Sequence, residues 1–277
     1  MAAKVEKKRD MIHTKRQKYA LVTGAASGMG LCYVRRLAER GYAVVAVDRR
    51  EEELRARCRE VAEAIGQTIE PLVQDLTAQD AAERIVAYVE RQGIEIEVLV
   101  CNAGVLPFGG FLAHEPSRID QIISLHIATH TQLVRALGER MRARSEGYIL
   151  WVSSATAWMP YPSIALYAAT KSYVRQLAVA LHDEWQQDGV VVTALCPGAV
   201  DTPFYRLSDS MRRWLLRLGV MLSADEVARR ALRALFKGRR QLTPGWAAKA
   251  MVLLGCVLPS WAIRRVVRIE RVKRLLK

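Results

Sequence analysis

Short apolar runs alternate along this chain with stretches whose apolar positions recur every three or four residues. Tyr19 to Val22, Ala43 to Val47, Ile69 to Val73, Val98 to Cys101, Tyr148 to Val152 and Val190 to Leu195 are the apolar runs. Their length and β-branched content predict buried strands. Between them, Leu31, Val34, Leu37 and Ala38 share one helical face, with Gly41 as its stop, and Leu54, Cys58, Val61 and Ile65 stripe a helix over 50–65. Further helices are predicted over 78–92, 117–143 and 165–187. This alternation builds right-handed βαβ units on a parallel sheet. No repeat or low-complexity linker interrupts residues 19–243, which read as one α/β domain between an arm over 1–18 and an extension over 244–277.

Charge changes that picture only at the ends. Of the net charge of +14, residues 1–18 carry +5 and residues 237–277 carry +10, so the body is close to neutral. A nucleic-acid-binding domain would carry its charge on the folded body, so no nucleic-acid partner is expected. Basic tails suit an anionic surface, a membrane among them, or solubility. The five cysteines are scattered without zinc or disulfide spacing, and the N-terminal residues form no signal-type apolar core. A reducing, cytoplasmic setting is expected.

The candidate chemistry sits at strand ends. Thr23-Gly24-Ala-Ala-Ser27-Gly28-Met29-Gly30 lies between a strand and a helix. Its glycines let a pyrophosphate approach the backbone, and the helix start offers free N–H groups. Asp48, closing the second strand, can accept from adenosine ribose hydroxyls, which favours NAD over NADP. Arg49 and Arg50 follow it and could instead pair with a 2′-phosphate. Ser154 closes the run 148–152, while Tyr167 and Lys171, four apart, share a helix face. A serine, a phenol and an ammonium can thus meet.

These residues, with Asp75, Asn102-Ala103-Gly104 and Pro197-Gly198, stand in the order and spacing of the short-chain dehydrogenase/reductase family, which residues 19–243 resemble. The resemblance implies a single Rossmann-type, doubly wound sheet of about seven strands and an NAD(P)-dependent oxidoreductase without metal. It implies that Asp75 and Leu76 flank the adenine and that Asn102 supports the cofactor and central strand. Val200 would meet the nicotinamide carboxamide, Thr202 would hydrogen-bond the cofactor, and a homodimer or homotetramer is expected. Tyr167 would be the general acid/base, Ser154 would polarise the substrate oxygen, and Lys171 would bind the nicotinamide ribose and favour phenolate. An ammonium at ~4 Å from the phenolate in an effective dielectric of ~20 is worth about 4 kcal/mol at the upper end. One position departs from the pattern. Where the family has a catalytic asparagine this chain has His126, which can substitute in a proton relay or only fill the space.

Met211, Trp214, Leu215, Leu218 and Leu222 recur at helical spacing where the family has its variable lid. They imply a lipophilic alcohol or ketone such as a hydroxysteroid, with a 3-oxoacyl thioester as the alternative, or else a packed helix. The run Ala250 to Leu258 is too short to span a bilayer and is followed by Pro259, by Arg264, Arg265, Arg268, Arg271, Lys273, Arg274 and Lys277, and flanked by Trp246 and Trp261. It reads as an interfacial helix making peripheral contact with an anionic membrane, or as a tail packed on the body. A binding or scaffold protein that kept this fold is the other class of function, and the intact Ser154, Tyr167 and Lys171 favour the enzyme.

Overall fold

The structure, a computed structural model, describes residues 17–202 and 207–257. Most of the arm, the stretch 203–206 and everything beyond Val257, including Trp261 and the basic cluster, lie outside the described residues. The elements run β1 (Tyr19–Thr23), α1 (Gly28–Ala38), β2 (Ala43–Asp48), α2 (Glu51–Ile65), β3 (Ile69–Val73), α3 (Ala81–Arg91) and β4 (Ile96–Cys101). Then come α4 (Pro116–Ile123), a π turn (Ser124–Ala128), α5 (Thr129–Ala143), β5 (Gly147–Val152), a 3-10 turn (Ala155–Trp158), α6 (Ala165–Trp185) and β6 (Val190–Leu195). The chain continues with β7 (Ala199–Asp201), α7 (Asp209–Arg217), β8 (Met221–Ser223), α8 (Ala224–Phe236), β9 (Gln241–Leu242) and α9 (Trp246–Val257).

Seven strands pair in the order β3-β2-β1-β4-β5-β6-β9, all parallel. Parallel strands covered on both faces read as continuous apolar runs, and β2 and β4 are buried at every position. One face packs on Tyr33, Leu37, Leu54 and Leu232 of α1, α2 and α8. The other packs on Ile85, Leu133, Leu137 and Val174 of α3, α5 and α6. The strand order reverses between β1 and β4, and that switch point at the carboxyl ends of the strands is where such sheets place ligands.

Four local outcomes differ from the expected pattern. β4 begins at Ile96, because the buried Glu97 is paired with the Lys18 ammonium at 2.8 Å and accepts from the Tyr42 hydroxyl at 2.7 Å. Lys18, expected in the arm, is therefore anchored to the sheet. The helix expected over 117–143 runs without a break from Pro116 to Ala143, but it widens into the π turn at Ser124–Ala128. The helix over 211–222 ends at Arg217, where Gly219 takes φ +66°, and Leu222 lies in β8, which pairs with β7 as a small second sheet. Finally, α9 lies on the body with Ala248 buried, so the packed-tail alternative holds for one of its faces.

Candidate active site

Two cavities of about 330 and 350 Å³ meet at the switch point. The first is edged by the glycine loop through Gly24, Ser27, Gly28 and Met29, and by Asp48 and Arg49 after β2. Asp75 and Leu76 after β3, Asn102, Ala103 and Gly104 after β4, and Thr202 complete it. Gly24 has φ +67°, and a Cβ on Gly30 would fall 1.9 Å from the Gly24 carbonyl oxygen, so both positions need glycine. Gly30 is thus a packing position that lets α1 start against the loop. The unpaired N–H groups at that start suit a diphosphate.

Thr23 is also structural. Its buried hydroxyl accepts from the Asn102 and Ala103 N–H groups at 2.9 and 3.1 Å and lies 3.0 Å from His130 Nε2. Asn102 Nδ2 donates to the Thr23 carbonyl at 2.9 Å, whereas its buried Oδ1 has no partner among the described residues. That acceptor borders both cavities, and a dinucleotide lying across them would satisfy it.

The adenosine end is more crowded than the motif suggests. Asp48 is buried and accepts from the Ala26 N–H at 3.1 Å, the Arg50 N–H at 3.1 Å and Arg50 Nε at 3.1 Å. Despite its burial, the Arg50 guanidinium and these N–H groups hold its carboxyl below the ordinary value. Arg50 also donates to Ser27 Oγ at 2.9 Å, bridging the phosphate loop to Asp48. Asp75 accepts from the Thr77 N–H and hydroxyl, both at 2.9 Å, in a closed turn.

The second cavity contains Ser154, Tyr167 and Lys171 together with Pro197, Gly198 and Val200, and it shares Met29, Asn102, Gly104 and Thr202 with the first. Ser154 leaves β5 with extended backbone, and its Oγ accepts from both the Thr156 N–H at 3.1 Å and the Thr156 hydroxyl at 3.0 Å. With those acceptor sites filled, its own O–H remains to donate. Lys171, fully buried, donates to the Val152 carbonyl at 2.9 Å and stands 5.7 Å from the Tyr167 ring centre. Burial pulls its ammonium down to about 8, with Cys196 and Cys101 opposing. Ser153 anchors the same helix by donating to the Lys171 carbonyl at 2.7 Å.

His126 lies in the π turn, behind Gly104 and outside both cavities. Its Nε2 is 2.9 Å from the Val105 N–H and its Nδ1 is 2.9 Å from Thr170 Oγ1, which donates to the Tyr167 carbonyl at 2.8 Å. An Nε2 that accepts assigns the proton to Nδ1 and leaves a neutral ring. Burial, then the nearby Lys171, hold it well below the ordinary histidine value. Both nitrogens are engaged with fixed partners, which ties the loop after β4 to the helix of Tyr167 and Lys171. His130, one turn on, is pulled to about 3 by burial.

The far side of the second cavity is α9, through Ala247, Ala248 and Met251. Ala248 touches Gly198, where an added Cβ would approach it to 3.0 Å. Thr156, Thr170, Ala247 and Met251 had no place in the motif. A threonine two residues after an extended serine is a local signal for such a hydroxyl pair, while the α9 residues carry no local signal.

A family model described as short chain dehydrogenase matches residues 18–213. The chain belongs to the short-chain dehydrogenase/reductase family. It is an oxidoreductase acting on CH–OH groups with NAD(P). The human 17-beta-hydroxysteroid dehydrogenase type 3 is 30% identical over 88% of this chain and 76% of its own. The very-long-chain 3-oxoacyl-CoA reductase of Anas platyrhynchos is 33% identical over 69% of this chain and 62% of its own. Among solved structures, a short-chain dehydrogenase from Sphingobium yanoikuyae in complex with NADPH is 27% identical with a TM-score of 0.74, covering 91% of this chain and 97% of that one.

Proposed function

We propose that this dehydrogenase interconverts a secondary alcohol and a ketone on a lipophilic, hydroxysteroid-like substrate. The carrying observation is the shared cavity, in which Ser154, Tyr167 and Lys171 face a wall of Ala247, Ala248 and Met251. When bound, the nicotinamide supplies or accepts the hydride. Everything else falls to the chain. Ser154, held as a donor by Thr156, hydrogen-bonds the substrate oxygen and stabilises negative charge on it. Tyr167 takes the alcohol proton in oxidation and returns it in reduction. The Lys171 ammonium favours the phenolate and holds the nicotinamide ribose. His126 keeps its neutral ring as a brace between Val105 and Thr170. The proton path then does not run through its side chain.

At the adenosine end, Arg50 neutralises Asp48 and reaches Ser27, which weakens the repulsion of a 2′-phosphate. Arg49 stands exposed beside Asp75 at 3.9 Å. This supports use of NADP alongside NAD, where Asp48 alone argues for NAD. A 3-oxoacyl thioester is the second reading, favoured by the reductase relative and by the arginines of α7, which suit thioester phosphates. Reduced-nicotinamide absorbance, followed for hydroxysteroids and 3-hydroxyacyl thioesters with each cofactor, decides among them. Turnover of hydroxysteroids is the expected result. Turnover of thioesters alone establishes the second reading, and an absence of turnover with both, despite cofactor binding, removes the first.

A further inference from the structure

The outer wall of the substrate cavity has another side. α9 carries a single charge, Lys249, and is apolar around most of its circumference. Ala247, Ala248 and Met251 turn to the cavity. Trp246, Leu253, Leu254 and Val257 turn outward and are 62, 66, 54 and 72% exposed, along one helical stripe. Met211, Trp214 and Leu218 form a similar exposed stripe on α7. The Trp246 indole donates to the Leu218 carbonyl at 3.3 Å, which joins the stripes into one patch. Isolated apolar residues on a surface need no partner, whereas a contiguous patch of this kind marks a docking surface.

Charge selects the occupant. Arg213, Arg217 and Lys249 stand on these two helices, all exposed. The chain beyond residue 257 adds seven Lys/Arg against Glu270 alone. An apolar stripe with cationic surroundings complements a lipid surface rich in anionic headgroups. A second copy of the chain would bring like charge against like. Among the described residues no helix is long and apolar enough to cross a membrane, so the contact is with the surface. We propose that α7 and α9 together dock on an anionic lipid bilayer, so that one helix serves as the wall of the catalytic cavity and as the membrane contact. The docking stands on exposure and charge. Its use for delivering substrate from the lipid rests on the lipophilic-substrate reading above.

Flotation of the full chain with vesicles tests it, using phosphatidylcholine alone and phosphatidylcholine with phosphatidylserine. The expected result is flotation with the phosphatidylserine vesicles, weakened by salt. Leu253→Glu/Leu254→Glu and, independently of α9 packing, Met211→Glu/Trp214→Glu should each lower partitioning by more than about tenfold while cofactor fluorescence stays unchanged. A parent chain that stays soluble with both vesicles at low salt overturns the proposal. So do variants that float like the parent. A parent dimer that either pair converts to a monomer assigns the patch to a second copy instead. Turnover of a water-soluble ketone in the same samples separates failure of docking from failure of the oxidoreductase reading.

Discussion

The two walls of the substrate cavity are built on opposite terms. On the sheet side, Ser154, Lys171, Thr156 and, one layer behind, His126 are held by hydrogen bonds of 2.9 to 3.1 Å to fixed partners. On the α9 side, Ala247, Ala248 and Met251 present carbon to the cavity, and the Trp246 indole holds the helix to the end of α7. Chemistry needs donors within tenths of an ångström of the reacting atoms, and that precision comes from the rigid wall. Selection among lipophilic substrates needs only shape, which a peripheral helix can supply and change without disturbing the reacting groups.

Tyr167→Phe should break the inner wall most completely. Turnover falls by about a thousandfold while cofactor affinity, read by fluorescence, stays within about twofold. A variant that keeps its rate would remove the tyrosine from the proton step. Ala247→Phe tests the outer wall: kcat/KM for a bulky steroid falls by about tenfold to a hundredfold, while a small ketone is turned over as before. Equal losses on both substrates would erase the division of labour.

Lys171→Met separates chemistry from stability. The folded value of about 8 lies below the unfolded 10.5, so the unfolded chain binds more protons between them. Stability therefore rises with pH across that window, and the burial cost is at its full size below it. The methionine variant should lose activity yet resist urea better at pH 7, by up to about 3 kcal/mol, with the advantage shrinking toward pH 10. An advantage that grows with pH contradicts the assignment.

Thr156→Val removes one of two hydrogen bonds to Ser154, so kcat drops about fivefold to tenfold with little change in KM, and Thr156→Ser restores it. His126→Asn has the smallest effect. Activity persists, and the pH profile keeps its shape because the buried ring, with both nitrogens engaged and its basicity pulled well below the ordinary histidine value, takes no part in the proton step. A limb that vanishes with the histidine would put its ring in the proton path.

The inner wall was largely legible in the residues. Buried parallel strands announce themselves as unbroken apolar runs, and Tyr167 with Lys171 or Gly24 with Gly30 act at short sequence separation. What escaped was tertiary. The Arg50 contact with Ser27 spans the gap between two loops, and Ala247 reaches the cavity from the far end of the chain. Small apolar residues look alike whether they line a cavity or pack a core. The apolar spacing through Leu222 overran a helix that Gly219 had already ended.

The π turn Ser124–Ala128 makes chain length itself a carrier of information. A π turn holds one residue more than the α turn it interrupts. Deleting a single residue there would turn it back into an α turn and leave the faces on either side in nearly the same register, because the π turn takes up its extra residue within one revolution. Arg118, Gln121 and Ile122 would keep their place on the cofactor cleft, while the imidazole would lose the wide turn from which it reaches both Val105 and Thr170. A gap of one residue at this point would spare the cleft and remove the brace, so in any set of sequences compared with this one the spacing between Pro116 and Thr129 is as telling as the residues that fill it.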